Sequence, residues 1–385
     1  MPKPIKVLSI FGTRPEAIKM APVVKELERT EQIISKVAVT AQHREMLDQV
    51  LGLFDIQPDY DLNIMAPEQT LYDITAKALL GLKPILEQEK PDIVLVHGDT
   101  TTTFIASLAS YYQQIAVGHV EAGLRTHNKY SPFPEEMNRK LTGSLSDMHF
   151  APTGTSRENL LDEAVDPEAI YVTGNTVIDA LLATVRPDYT FADPNLQQIV
   201  QKEKEILLVT THRRENLGEP MRQVYQALRE VLAQRPQAFI IFPVHKNPAV
   251  RRVVEEELGQ HPRVQLIEPM DYEPFVNLMN QATIILTDSG GMQEEAPSLG
   301  KPVLVLRDTT ERPEAVRAGT VKLVGTSATI ITNETLTLLK NPEAYKAMAN
   351  AVNPYGDGKA SQRIAQAILY HFRQSDQLPD EYGLV

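Results

Sequence analysis

The sequence predicts an α/β protein built from two doubly wound parallel-sheet domains that face each other across a cleft. Strand-like apolar runs alternate with helix-like segments along the whole chain, which is typical of parallel sheets covered by helices on both faces. Runs such as residues 93–96 are apolar at every position, as strands buried on both sides require. The alternation passes through about six strands twice, and 385 residues are too many for one ordinary domain.

Six strands are predicted in the first half of the chain, at residues 7–11, 36–40, 93–97, 116–120, 148–151 and 170–173. Six more are predicted in the second half, at 206–210, 239–243, 264–267, 283–287, 303–306 and 321–324. Helical patterns lie between most of them, for example at 17–28, 70–87 and 221–234. The least regular central segment is 186–195, so the domain boundary is expected between residues 173 and 205.

The composition excludes several classes of protein. The chain has no cysteine, which excludes disulfides, thiolate–zinc sites and cysteine nucleophiles and favours a cytoplasmic location. Its formal net charge of −12 argues against a general nucleic-acid-binding protein. No apolar run approaches the length that spans a membrane, so neither a nucleic acid nor a membrane is expected as a partner.

Polar clusters follow seven of the predicted strands directly. They lie at residues 12–16, 97–103, 119–126, 211–216, 244–247, 287–297 and 307–314. Ligands of doubly wound sheets bind beyond the carboxyl ends of the strands, which is where these clusters lie. The sequence therefore predicts an enzyme, with one wall of the ligand site in each domain.

The cluster at 287–297 predicts a nucleoside diphosphate site. Gly290 and Gly291 let the backbone approach a ligand, and the N–H groups of a helix start favour a phosphate. A carboxylate one turn further on, Glu294 or Glu295, suits the hydroxyl pair of a ribose. The alternative interpretation is a tight turn before a solvated helix. Cations that suit a diphosphate lie in the same half of the chain, at His212, Arg213, Arg214 and Arg312.

The first half is rich in acids, at Glu16, Asp99, Glu121, Glu135 and Glu136. Paired carboxylates suit general acid–base work on sugars. Each acid also has a structural alternative. Asp99 could cap the helix that starts there, and Glu121 could pair with Arg125 one turn on. Glu135 and Glu136 could be ordinary first-turn acids that face a helix dipole.

The motifs for common cofactors are absent. No G-x-G-x-x-G follows the first strand of either half, and there is no P-loop, so neither a nicotinamide dinucleotide nor Walker-type ATP hydrolysis is expected. His97 and His119 at strand ends suit structural and catalytic roles equally well. A metal site built from His97, Asp99 and Glu121 is conceivable, but no ligand spacing such as H-E-x-x-H supports it. We expect no cofactor and no metal.

Several long motifs occur in one order along the chain: FGTRPEAIKMAP at 11–22, GDT at 98–100, EAGLRT at 121–126, PEE at 134–136, HRREN at 212–216, DSGG at 288–291, TERPE at 310–314 and NPYGDG at 353–358. With them the chain resembles the bacterial non-hydrolysing UDP-N-acetylglucosamine 2-epimerases over essentially its whole length. The resemblance implies two Rossmann-like domains of GT-B type. Residues 1–173 plus a returning C-terminal segment, 361–385, would form the first domain, and 174–360 the UDP-binding domain.

The resemblance also implies a function. The reaction would be the reversible epimerisation at carbon 2 of UDP-GlcNAc to UDP-ManNAc, by elimination of UDP to 2-acetamidoglucal and re-addition. The protein would be a homodimer that supplies ManNAc for cell-envelope polysaccharides. Three alternatives stay open: a GT-B glycosyltransferase, a hydrolysing epimerase, and a UDP-sugar-binding regulator without turnover.

Site residues follow from the matching motif positions. Asp99, Glu121 and Glu135 match the family's catalytic carboxylates, and His212 matches a catalytic or diphosphate-contacting histidine. The resemblance does not decide which carboxylate serves which face of the sugar; Asp99 is the preferred base, with Glu135 or Glu121 opposite. Substrate-binding positions are matched by Arg14, Lys19, Ser289, Gly290, Gly291, Glu295 and Arg312, of which Glu295 would hold the ribose and the Ser-Gly-Gly turn the diphosphate.

Two further expectations concern single segments. Lys19 could instead be a surface residue, because it lies at helical spacing from Pro15. Some family members bind a second UDP-GlcNAc as an allosteric activator. Residues in the segments that line that site are Gln42, His43, Glu45 and Glu136.

Overall fold

The computed structural model describes residues 3–41, 44–66, 68–213 and 216–383. The chain divides into two compact units, one of Met1–Ala183 with Tyr355–Val385 and one of Thr184–Pro354. Each unit contains one parallel sheet whose strands alternate with helices. The predicted pair of doubly wound, Rossmann-like sheets is confirmed.

The first unit holds a seven-stranded sheet. Its strands are β1 (Ile5–Phe11), β2 (Ile33–Val39), β3 (Tyr60–Asp61), β4 (Ile93–His97), β5 (Ala116–Val120), β6 (Met148–Ala151) and β7 (Ile170–Val172). They lie in the order β3-β2-β1-β4-β5-β6-β7, and β1 pairs with β2 on one side and β4 on the other. Strand β3 has no counterpart among the predicted strands, because two residues are too few to show a hydrophobic period.

The second unit holds a six-stranded sheet. Its strands are β8 (Glu205–Thr210), β9 (Ala238–Pro243), β10 (Val264–Ile267), β11 (Ile284–Thr287), β12 (Val303–Val305) and β13 (Val321–Leu323). They lie in the order β10-β9-β8-β11-β12-β13, all parallel. All six were predicted, because central strands such as β9 are buried at every position and read as continuous apolar runs.

Helices cover both sheets. In the first unit they are α1 (Arg14–Arg29), α2 (Arg44–Leu53), α3 (Leu71–Glu89), α4 (Thr101–Tyr112), α5 (Glu135–Leu145), α6 (Gly154–Asp162) and α7 (Thr176–Thr184), which ends at the unit boundary. In the second unit they are α8 (Pro194–Lys202), α9 (Glu219–Gln234), α10 (Pro248–Leu258), α11 (Tyr272–Gln281), α12 (Gly290–Glu295), α13 (Pro313–Ala318), α14 (Ala328–Lys340) and α15 (Pro342–Ala349). Among the described residues, no helix is both long and apolar enough to cross a bilayer.

The last helix, α16 (Ala360–His371), belongs to the first unit, where it packs against α1. Its first N–H groups are capped from another helix, since the buried carboxylate of Asp179 in α7 accepts hydrogen bonds from Ala360 N at 3.2 Å and Ser361 N at 2.7 Å. A carboxylate at a helix N-terminus satisfies donors that the helix itself leaves open. The C-terminal segment is thereby tied to α7.

Both sheets have a point where the strand order reverses, between β1 and β4 in the first and between β8 and β11 in the second. The loops that leave two such neighbouring strands diverge to opposite faces of the sheet and leave a crevice between them. The motifs at 12–16 and 98–103 follow β1 and β4, and those at 211–216 and 288–291 follow β8 and β11. The topology therefore places four of the seven polar clusters at the two switch points.

Candidate active site

A buried glutamate joins the two loops at the switch point of the first sheet. Oε2 of Glu16 accepts hydrogen bonds from Gly12 N at 3.1 Å and Thr13 N at 2.8 Å, while Oε1 accepts from the hydroxyls of Thr100 at 2.7 Å and Thr103 at 3.1 Å. Burial raises the pKa of Glu16, and the hydrogen bonds from Thr100 and Thr13 oppose this rise. All four donors hold the carboxylate in place, so Glu16 organises the site and is not exposed to a ligand.

Arg14 occupies the first position of α1 and is partly exposed. A cation at a helix N-terminus is unfavourable on its own, because the helix dipole is positive there. Of the carboxylates that the structure describes, none lies within ion-pair distance of Arg14. An arginine in this position is suited to an anionic ligand.

Glu121 directly follows β5 in a left-handed backbone conformation, with φ at 63°. This region is uncommon for a residue with a side chain and often marks a functional site. Its carboxylate forms an ion pair with Lys19 and accepts a hydrogen bond from Asn175 Nδ2 at 2.9 Å. The predicted alternatives for both charged residues are wrong: Arg125 pairs with Glu163 at 2.6 Å, and the Lys19 side chain is only 20% exposed.

Two histidines lie at the ends of the adjacent strands, and both are buried. Burial lowers the pKa of His97 to about 4, against the opposing charge of Glu121, and lowers that of His119 to about 3. Both rings are therefore neutral at pH 7. His119 donates from Nε2 to the carbonyl of Gly98 at 2.7 Å, a structural role. The ring nitrogens of His97 make no hydrogen bond within the described chain, and Nε2 lies 3.7 Å from Oε2 of Glu121.

Asp99 follows β4 and faces an arginine that the sequence analysis did not single out. The predicted capping role is wrong, because Thr100 is the N-cap of α4 and accepts from Thr103 N at 3.1 Å. The Asp99 carboxylate instead pairs with Arg139 Nη2 at 2.5 Å. The sequence carries a signal only for the local pair of Arg139 with Glu136, three residues earlier, and none for the pair with Asp99.

The adjacent acids Glu135 and Glu136 both lie in the first turn of α5, yet they differ in environment. Glu136 is fully buried and accepts from the backbone N–H groups of Thr126 at 3.0 Å and His127 at 2.9 Å, with Arg139 at 3.3 Å. Glu135 is partly exposed. Glu136 therefore anchors the loop after β5, whereas Glu135 is accessible to a ligand.

Of the four residues that the resemblance assigns to an activator site, the structure describes Glu45 and Glu136, and their surroundings differ. Glu45 is exposed in the first turn of α2, and Glu136 is engaged with the loop after β5. Gln42 and His43 lie outside the described residues, as does Arg214 of the second unit. Within the described residues there is no group of three or more His, Asp or Glu side chains that could hold a metal ion.

The switch point of the second sheet is also organised by a buried carboxylate, Asp288. It accepts from the backbone N–H groups of His212 and Arg213, each at 2.9 Å, and from His212 Nδ1 at 3.0 Å. Burial alone would raise the pKa of Asp288, but the hydrogen bonds from His212 and Arg213 outweigh it and hold this pKa below its usual value. Asp288 thus fixes the orientation of the His212 ring, which stays 36% exposed.

The Ser-Gly-Gly turn lies between β11 and α12, with Ser289 at the N-cap. Gly290 and Gly291 leave room on this turn: a Cβ added to Gly290 would meet Arg213 Nη2 at 3.9 Å, and one added to Gly291 would meet Glu295 Oε2 at 3.9 Å. The Ser289 hydroxyl caps no N–H of α12. The turn therefore lies beside one cation, Arg213, and two carboxylates, Glu295 and Glu311.

The sequence left Glu294 and Glu295 as alternatives for the ribose, and their environments differ. Glu294 is 4% exposed and forms an ion pair with Arg312. Glu295 is partly exposed, and its Oε1 lies 3.4 Å from the hydroxyl of Tyr272. Glu294 acts as the counter-ion that orients Arg312, so Glu295 is the member of this pair whose carboxylate lies beside the turn.

Gln293, which is not among the predicted site residues, connects the Ser-Gly-Gly turn to Arg312. The side chain is fully buried, donates to the carbonyl of Ser289 at 3.1 Å and accepts from the hydroxyl of Thr310 at 2.6 Å. Thr310 in turn accepts from Arg312 N at 3.0 Å. A series of hydrogen bonds therefore connects two predicted binding positions, Ser289 and Arg312.

Comparison with known proteins gives one consistent family. The family model described as UDP-N-acetylglucosamine 2-epimerase matches residues 25–369. A Bacillus subtilis protein named UDP-N-acetylglucosamine 2-epimerase is 56% identical over 380 residues, which is 99% of each chain.

Solved structures of similar proteins include ligand complexes. The S. aureus MnaA–UDP co-structure has a TM-score of 0.86 at 48% identity and covers 98% of this chain and 100% of its own. The UDP-GlcNAc 2-epimerase from Neisseria meningitidis, bound to UDP-GlcNAc, has a TM-score of 0.81 at 54% identity and covers 95% of this chain and 100% of its own.

The hydrogen bonds to Asp288 predict a pH-dependent loss of stability in the variant Asp288→Asn. The amide supplies one acceptor in place of two, so we expect the free energy of unfolding to fall by about 1–3 kcal/mol at pH 7. Because the pKa of Asp288 is lower in the folded chain than in the unfolded chain, its stabilisation is present above about pH 4 and is lost as pH falls through the folded pKa.

Urea unfolding of wild type and Asp288→Asn between pH 7 and pH 3 measures the difference in their free energies of unfolding. We expect this difference to become smaller as the pH falls. Asp193→Asn is the matched control, since Asp193 is exposed and caps α8 by accepting from Asn195 N at 2.9 Å, a bond that asparagine can also accept. A difference between wild type and Asp288→Asn that stays constant over this pH range would contradict the prediction.

Proposed function

The chain belongs to the UDP-N-acetylglucosamine 2-epimerase family and is an isomerase, and we propose that it interconverts UDP-GlcNAc and UDP-ManNAc by inverting carbon 2 of the sugar. The observation that carries this proposal is the carboxylate of Glu121, which follows β5 and is held beside Lys19 of α1, next to the switch point of the first sheet. A similar protein binds UDP-GlcNAc. Neither a cofactor nor a metal is part of the proposal.

The chemistry of carbon 2 explains why such a site needs several carboxylates. The hydrogen there is not adjacent to a carbonyl, so direct removal of the proton is too costly. If the bond between carbon 1 and the UDP oxygen breaks first, its electron pair leaves with UDP and the ring gains oxocarbenium character. A carboxylate then takes the proton from carbon 2, which leaves 2-acetamidoglucal and bound UDP. Re-addition of UDP, with a proton delivered to the opposite face, gives the epimer.

We assign the acid–base work to the first unit. Asp99 is the preferred base, and Glu121 or Glu135 is the group for the opposite face. Asp99 and Glu121 lie in neighbouring loops, since a Cβ added to Gly98 would be 3.8 Å from Glu121 Oε1. Their negative charges would also stabilise the cationic ring. Arg14 and Lys19 are the cations that this unit would offer to the substrate.

We assign UDP to the second unit. The diphosphate would bind the Ser-Gly-Gly turn through the N–H groups of Gly290 and Gly291 and the hydroxyl of Ser289, because the Ser289 N–H already donates to the Thr287 hydroxyl at 2.9 Å. Arg312 and His212 would be the positive groups that stabilise the departing UDP. The ribose would bind Glu295. This assignment is supported by the buried partners Glu294 and Asp288, which orient Arg312 and His212.

We also propose that the protein is a cytoplasmic homodimer and that its product supplies ManNAc for envelope polysaccharides. These statements rest on the family resemblance and on a chain without cysteine. Sedimentation equilibrium that returns the mass of one 43.0 kDa chain would refute the dimer. An unchanged ManNAc content in the envelope of a strain that lacks the protein would refute the supply role.

The proposed reaction predicts deuterium at carbon 2 of the product. Purified protein with UDP-GlcNAc in heavy water should give UDP-ManNAc that carries deuterium at carbon 2, with little free sugar, in proton NMR spectra. Asp99→Asn should reduce the rate by about 10²- to 10⁴-fold, because it removes the proposed base. Free ManNAc with UDP would indicate the hydrolysing alternative, and an unchanged UDP-GlcNAc spectrum would refute the proposal.

If Glu295 binds the ribose hydroxyls, the variant Glu295→Ala should no longer bind UDP more tightly than 2′,3′-dideoxy-UDP. Loss of hydrogen bonds to the ribose hydroxyls should weaken UDP binding about tenfold, whereas 2′,3′-dideoxy-UDP should bind wild type and variant alike. Isothermal titration calorimetry measures both ligands. Glu311→Ala is the control, since Glu311 is 51% exposed beside the same turn and should leave the difference between the two ligands intact. If Glu295→Ala and wild type prefer UDP over 2′,3′-dideoxy-UDP by the same factor, the role of Glu295 is refuted.

We further propose that a second UDP-GlcNAc activates the enzyme near Gln42, His43, Glu45 and Glu136. The rate with UDP-ManNAc as substrate should then be sigmoidal, and traces of UDP-GlcNAc should remove the lag. Initial-rate measurements in both directions test this. A hyperbolic curve without UDP-GlcNAc would refute the activation.

A further inference from the structure

The carboxylate of Glu121 lies against an amide that neither the motifs nor the proposed function assigns a role. Nδ2 of Asn175 donates a hydrogen bond of 2.9 Å to Oε2 of Glu121, the oxygen that also pairs with Lys19. Asn175 is 4% exposed, so this contact is shielded from bulk water. A hydrogen bond to an ionised carboxylate is stronger than one between neutral groups, and burial strengthens it further.

The other end of the Asn175 side chain determines which atom faces Glu121. Oδ1 accepts a hydrogen bond of 3.1 Å from Val177 N at the start of α7. Because the oxygen is engaged with a backbone N–H, the NH₂ group must point the other way, where it can only donate. The amide therefore favours the ionised, hydrogen-bond-accepting form of the Glu121 carboxylate.

The backbone of Asn175 is fixed by the C-terminal part of the first unit. Its N–H donates to the carbonyl of Tyr355 at 2.6 Å, and Tyr355 is the first residue of the unit after the chain returns from the second. The two backbone segments pack closely, since a Cβ added to Gly174 would lie 3.2 Å from Gly356 Cα. With its backbone and both ends of its side chain engaged, Asn175 has little freedom to turn away from Glu121.

We propose that Asn175 is a positioning residue for the epimerisation, which orients the Glu121 carboxylate and keeps it ionised, and that the segment beginning at Tyr355 keeps the amide in place. The proposal rests on the proposed role of Glu121. Lys19 from α1 and His97 from β4 are two titratable groups that face the same carboxylate. Lys19 supplies charge and His97 a neutral ring, whereas Asn175 adds a directed donor.

The variant Asn175→Asp tests this role with the smallest change. It keeps an acceptor for Val177 N and the backbone N–H for Tyr355, but replaces the donor to Glu121 with a second carboxylate. We expect kcat to fall about 10- to 100-fold with KM for UDP-GlcNAc changed less than about threefold, because substrate-binding groups are untouched. The limb of the pH–rate profile that Glu121 controls should move up by about one pH unit.

Asn341→Asp is the matched control. Asn341 caps α15 by accepting from Glu343 N at 3.0 Å and Ala344 N at 3.2 Å, so the same chemical change occurs at a helix start in the second unit. It should leave kcat, KM and the pH profile unchanged.

Asn175→Ser is the second variant. It retains a capping hydroxyl that does not reach Glu121, so kcat and the pH profile should change in the same direction as in Asn175→Asp. Circular dichroism identifies which variant is folded.

A second readout does not depend on turnover. In protein labelled with ¹³C at the glutamate carboxyl carbon, the Glu121 resonance is assigned by its loss in Glu121→Gln and titrated in wild type and in the folded Asn175 variants. A higher titration midpoint in those variants supports the proposal. A midpoint and kcat that both match wild type overturn it. A wild type that does not epimerise UDP-GlcNAc refutes the proposed function, while the titration still decides whether Asn175 controls the ionisation of Glu121.

Discussion

In each unit, one buried carboxylate that accepts backbone N–H groups holds the loops of the switch point together. Glu16 binds the N–H groups after β1 and the threonine hydroxyls after β4. Asp288, which follows β11, binds the N–H groups of His212 and Arg213 after β8. Loops that leave adjacent parallel strands carry several backbone donors with no partner in the sheet, and a buried unsatisfied donor is costly. A carboxylate can accept several of them at once.

Burial also determines which of the other acids are accessible to a ligand. In two pairs of adjacent glutamates, one side chain is buried and engaged while its neighbour is partly exposed: Glu136 and Glu135 on α5, and Glu294 and Glu295 on α12. Successive residues of a helix point about 100° apart, so one faces the core and the next faces the crevice. The buried member orients an arginine or a loop, and the accessible member is the one suited to a ligand. Both kinds of residue are needed for one site.

Much of the fold could be predicted, because buried parallel strands appear as apolar runs. All six strands of the second sheet were identified, and the two-residue β3 was missed for lack of a period. The site was predicted less completely. Residue types and motifs indicated Asp99 and Glu121, but the partners proposed for them were local, a helix cap and Arg125. The actual partners include Arg139, 40 residues away, and Lys19, 102 residues away.

The sequence by itself determined the fold class, the family and the set of polar residues at the ends of the strands, because apolar periodicity and motif order are properties of the chain alone. Only the tertiary structure decided which of these residues are anchors and which are accessible, and which side chains face Glu121. Burial and pairing depend on contacts between residues far apart in sequence, such as Asn175 with Glu121 or Gln293 with Thr310. Local pattern carries no record of such contacts, since they form only when the strands align.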